Sequence, residues 1–126
     1  MREILFRGRS MAQGSDWLYG DVLIYENSAQ IWETIDGRKH NSVVSIKTVG
    51  QFTGVYDKNG KRIFEGDIVA YRGDEYGAIV YDKESARFCV QFDTWSTDFD
   101  HLYGKELEVI GNIHDNPELL ESEDAE

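Results

Sequence analysis

The chain reads as a mainly β protein whose second half rolls into a small antiparallel barrel, and three observations predict this. Apolar or alternating runs of strand length recur along the sequence, separated by residues that favour turns. Asn59-Gly60 sits between Val55-Tyr56 and Ile63-Phe64, where a type I′ hairpin turn needs positive φ at both central residues and this pair supplies it cheaply. In Arg87-Phe88-Cys89-Val90-Gln91-Phe92, residues Phe88, Val90 and Phe92 share one face and the others point away, the mark of a half-buried strand.

Taken in order, strands are expected near residues 4–6, 17–19, 22–25, 31–35, 43–46, 52–56, 68–71, 78–81, 88–92 and 107–113. Asp36-Gly37 offers a second hairpin turn. Arg72-Gly73-Asp74 and Asp82-Lys83-Glu84-Ser85 separate three later strands into a meander within a barrel that begins near Gln51. Asn116-Pro117-Glu118-Leu119-Leu120 has the order of a helix start, with a polar cap, Pro at the first helical position and an acid in the first turn. No long repeat and no Gly/Ser/Pro-rich linker marks a boundary. The expected division is an N-terminal β portion over 1–50, a barrel over 51–120 and an acidic, disordered tail over 121–126, with the junction at 48–50.

At 126 residues the chain has room for one modest core, or for two small ones to which association adds stability. Its net charge of −11 repels phosphate backbones and argues against direct nucleic-acid binding. Part of that charge lies after Pro117, in Glu118, Glu121, Glu123, Asp124 and Glu126. Cys89 is the only cysteine, so no internal disulfide framework exists and a reducing compartment fits. The residues following Met1 lack an apolar run of signal-peptide length, and no later run is long enough to cross a bilayer as a helix. A soluble, cytoplasmic protein is expected.

Several phrases stand together in one order: Phe6-Arg7-Gly8, Trp17-Leu18-Tyr19-Gly20, Val49-Gly50-Gln51-Phe52-Thr53-Gly54, Asp57-Lys58-Asn59-Gly60, Phe64-Glu65-Gly66-Asp67-Ile68-Val69, and the run from Leu107 through Gly111-Asn112-Ile113-His114-Asp115-Asn116-Pro117 to Leu120. In these the chain resembles the YopX family of phage and prophage proteins over nearly its whole length. The resemblance implies SH3-type topology for the C-terminal barrel, an N-terminal β portion that helps build a homo-oligomer, with a hexamer the candidate assembly, and residence in the bacterial cytoplasm. It implies no activity, because the family is one of unknown function. The motif positions it marks are Gly50, Gly54, Asn59, Gly60, Glu65, Gly66, Asp67, Gly111, Asn112 and Pro117.

No set of residues assembles a catalytic or cofactor signature, and no cofactor is expected. Glu65-Gly66-Asp67 reads as turn chemistry at the start of a strand, the rival being a Mg²⁺ site shared with Asp57. His40, His101 and His114 lie far apart and outside any paired-ligand motif, although His114 could bond into the turn that starts the last helix. Cys89 reads as a small, partly buried hydrophobe. The scattered glycines, among them Gly73 and Gly77, fall at strand ends and form no phosphate loop. Trp17, Trp32, Trp95, Tyr71, Tyr76 and Tyr81 could form a base-stacking strip, but core and interface packing explains them more simply.

Three functions are therefore weighed. The first is a non-enzymatic, oligomeric protein-interaction module with a host or phage protein as partner. The alternative is an acidic DNA mimic, or accessory factor, acting on nucleic-acid-binding proteins. The third is a metal-assisted hydrolase built from Asp57, Glu65, Asp67 and His114.

Overall fold

A computed structural model of the chain describes residues 2–12, 16–99 and 104–121. The strands pair into two antiparallel sheets, and the chain divides into two compact units, Met1–Phe52 and Thr53–Glu126. The first unit holds β1 (Phe6–Arg9), β2 (Trp17–Tyr25), β3 (Ser28–Ile35), β4 (Arg38–Val44) and the start of β5 (Gly50–Tyr56), ordered β4-β3-β2-β1-β5. Alternation decides which face is buried: Ala29, Ile31 and Val44 are almost fully enclosed, with Phe6, Leu18, Val22 and Val49 packed against them.

Two runs expected as separate strands, 17–19 and 22–25, are one strand of nine residues. Gly20 makes the continuation possible, since a Cβ there would lie 2.0 Å from the Trp32 carbonyl oxygen of the neighbouring strand. Strand β4 starts five residues before its apolar signal. Arg38, Lys39, His40 and Asn41 are all exposed, and they are held by register with β3 rather than by hydrophobic burial. At Asp36-Gly37 both φ values are positive, 53° and 77°, as the two-residue hairpin requires. A 3-10 turn, Ile46–Thr48, leads to β5. Here the Thr48 hydroxyl accepts the Arg9 N–H at 2.8 Å and donates to the Ser45 carbonyl at 2.6 Å.

In the second unit β6 (Arg62–Phe64) pairs with β5, and a second sheet holds β7 (Asp67–Tyr71), β8 (Glu75–Asp82), β9 (Arg87–Gln91), β10 (Ser96–Asp98) and β11 (Leu107–Asn112). Its order, β10-β9-β8-β7-β11, contains the expected meander, with the last strand returning beside β7. Strands β10 and β11 are its two edges and are not paired with each other among the described residues. Strand β7 is buried on both faces, as its unbroken apolar run Ile68-Val69-Ala70 demands of a central strand. Val55, Ile63, Val69, Ile79, Val90, Phe92 and Leu107 form the core. The register of β11 on β7 shifts between Val109 and Gly111, a bulge that turns the chain toward its last segment. That segment is a 3-10 turn, Pro117–Leu120. Beyond Glu121 the expected disordered tail lies outside the described residues, as does His101.

Candidate functional site

The carboxylates singled out in the sequence are taken up by backbone. Asp57, 5% exposed, follows β5, and its Oδ1 accepts the N–H groups of Asn59 at 2.8 Å and Lys61 at 2.9 Å. Its Oδ2 accepts the Val109 N–H at 2.9 Å, which clasps the hairpin tip to β11. This side chain also changes the turn. Instead of a type I′ turn at Asn59-Gly60, the Gly60 N–H donates to the Asp57 carbonyl at 3.0 Å and only Gly60 of the pair has positive φ, 80°. An aspartate that caps its own following amides favours this type I turn closed by a left-handed glycine.

Asp67 is 2% exposed, and its Oδ2 accepts the Phe64 N–H at 2.7 Å across the bend at Gly66, whose φ is 93°. Gly66 itself bonds on both sides, its N–H to the Ile79 carbonyl and its carbonyl from the Ile113 N–H. The Glu65-Gly66-Asp67 segment thus serves as a structural junction. Among the described residues, no three His, Cys, Asp or Glu side chains are grouped to hold a metal ion.

The last motif block is equally structural. Asn116 does not cap the final turn with its side chain; its Oδ1 instead accepts the Asn112 N–H at 3.2 Å. A Cβ on Gly111 would come within 2.5 Å of that same Oδ1, which explains the glycine. Asn112 Oδ1 accepts the N–H groups of His114 and Asp115, so His114 does join this turn, through its backbone. Pro117 opens the 3-10 turn, Gly50 opens β5 opposite Arg7, and Gly54 within β5 has φ 90°. His40 is exposed on β4, opposite Glu33.

The aromatic residues do not form one stacking strip. Trp17 is covered by the guanidinium groups of Arg7 and Arg9, 4.7 and 5.0 Å from its ring. Tyr76 and Tyr81, five residues apart on β8, point to opposite faces. Trp95 stacks on Phe92 with centroids 4.5 Å apart and donates its indole N–H to Glu75 at 2.7 Å.

Phe92 leads to a feature that no sequence motif announced. A cleft of about 410 Å³ in the second unit is lined by Asp74, Tyr76, Ala78, Gln91, Phe92 and Asp93 on one side, and by the end of the final 3-10 turn on the other. Gly77 lets Phe92 lie flat there, since a Cβ would meet its ring at 2.9 Å and the Gln91 carbonyl at 3.0 Å. The only available signal was the run of acids and aromatics around two turns, which folding brings together with a distant terminal segment. At the other end of β8, hydrogen bonds from the Ser85 hydroxyl and the Glu84 N–H hold the Asp82 carboxyl below its ordinary range. Burial, with the Asp82 and Asp98 charges added, pushes the Cys89 thiol up, so it stays protonated and weakly nucleophilic.

The family model described as YopX protein matches residues 5–121. The chain belongs to the YopX family. Its fold is similar to that in the crystal structure of protein EF1440 from Enterococcus faecalis, at 25% identity and a TM-score of 0.61, covering 96% of this chain and all of that one. No curated protein matches. In this YopX chain no described helix is long and apolar enough to cross a membrane.

Proposed function

We propose that this YopX chain is a phage- or prophage-encoded, non-enzymatic interaction module that works as a homo-oligomer in the bacterial cytoplasm and docks onto a host or phage protein. The observation that carries the reading is the solvent face of the first unit. Tyr19, Leu23 and Tyr25 alternate along β2 and share that face with Val43 of β4, reached through the Gln30 position, and they are 45–71% exposed. Three residues make up the buried centre of that unit's core, so a protein interface would add the apolar burial that the unit itself provides sparingly.

The second unit supplies a rigid platform. We read its five strands, with β11 returning beside β7, as an SH3-type barrel topology. The use of Asp57 and Asp67 as acceptors for backbone amides supports a scaffold role over a hydrolytic one. Affinity capture with the tagged full-length chain from lysate of a host carrying the phage tests the proposal. Repeated recovery of the same protein is expected; a series of captures returning nothing but the bait removes the reading.

A further inference from the structure

We infer that the cleft beside Phe92 is a docking site for a peptide segment of a partner protein that presents an arginine or lysine next to a large aliphatic residue. This rests on the interaction-module reading and specifies which surface is used and what it recognises. The cleft volume, about 410 Å³, has room for one or two side chains of a docked segment. Five of its nine lining residues are apolar or aromatic: Ala78 and Phe92 are buried, Leu119 is half-buried, and Tyr76 and Leu120 are 39% and 41% exposed.

Its charged groups are all of one sign. Asp74, Asp93 and Glu121 line it, and no lysine or arginine does. Tyr76 adds a second attraction for a cation. Elsewhere in the same unit Tyr56 and Tyr71 carry arginines of this chain over their rings, Arg62 at 5.9 Å and Arg72 at 4.8 Å, whereas no described guanidinium covers Tyr76. An aromatic ring beside carboxylates, in a hollow that also presents Ala78, Leu119 and Leu120, recognises a cationic head on an aliphatic stem. Other occupants fit less well. Residues 122–126 of this chain contain Glu123, Asp124 and Glu126, which the carboxylates repel; phosphate backbones are repelled likewise, and a second copy carries the same charge of −11.

The test uses the full chain and a fluorescent ten-residue peptide alternating leucine and arginine, followed by anisotropy, beside a matched leucine–glutamate peptide. The basic peptide should bind and the acidic one should not. Asp93→Lys and Tyr76→Ala should each weaken binding about fivefold or more, while Glu84→Lys, an equal charge change outside the cleft, should alter it less than about twofold. Equal losses for Asp93→Lys and Glu84→Lys would mean diffuse attraction to an acidic protein and would overturn the proposal. A several-fold gain on deleting residues 122–126 would do the same, by showing the chain's own end in the cleft. Circular dichroism of each variant confirms folding, and Asp93, exposed, carries the test if Tyr76→Ala does not fold. Parallel lysate captures separate the two readings. A partner held equally by wild type and Asp93→Lys defeats the cleft alone; no partner for wild type defeats the module.

Discussion

A buried carboxylate that serves three backbone amides is worth more to this protein than any of its exposed ion pairs. Asp57→Ala would strand the amides of Asn59, Lys61 and Val109, and should cost about 3 kcal/mol in urea unfolding. Asp57→Asn can keep Oδ1 for the first two while an NH₂ group faces the third, so a smaller loss of about 1 kcal/mol is expected. Equal losses for the two variants would show that the bonds to Asn59 and Lys61 contribute nothing, and no loss for Asp57→Asn that the contact to β11 contributes nothing. By contrast Lys39–Asp21, at 3.2 Å, joins two well-exposed side chains and should contribute within the scatter of such measurements. Gly111→Ala should cost about 1 kcal/mol by displacing the Asn116 carboxamide, and that cost should shrink in an Asn116→Ala background. A double-mutant cycle measures it, and strict additivity would contradict the contact.

At the scale of elements, turns were legible where their chemistry is local and less so where a side chain intervenes. Asp36-Gly37 takes the conformation its residue types ask for, while the Asn59-Gly60 hairpin forms with a different turn because Asp57 captures the amides that follow it. Strands with an alternating or continuous apolar signal, such as β7 and β9, could be read directly. Strand β4 begins in polar residues and β10 has three residues, Ser96-Thr97-Asp98, so neither start carries a hydrophobic pattern; pairing defines both. The cleft was illegible for a related reason, since its two walls are brought together only by tertiary folding. The β8–β9 turn makes a prediction of its own. Asp82 is held below its ordinary pKa, so its contribution to stability is present above the unfolded value near 3.8 and lost as pH falls through the lower folded value. Ser85→Ala should raise the Asp82 midpoint in a carboxyl NMR titration; an unchanged midpoint would rule out the hydroxyl as its main cause.

For the molecule as a whole, the balance between the two units matters most. Among the described residues the second has a seven-residue buried core, and the first a three-residue one with Tyr19, Leu23, Tyr25 and Val43 exposed on its outer face. Light scattering at micromolar concentration should therefore report an assembly larger than one chain, and Leu23→Lys with Val43→Lys should reduce its mass without unfolding the second unit. A monomer mass for the wild type would end the oligomer reading. The Asp57 clasp also has a temporal side. Its partner Val109 follows 52 residues later, and β11 supplies the missing neighbour of the central strand β7. During synthesis, then, everything up to β10 leaves the ribosome before the strand that finishes the second unit, and a stalled nascent chain would display a bare, oily β7 margin to whatever chaperone or sister chain meets it first.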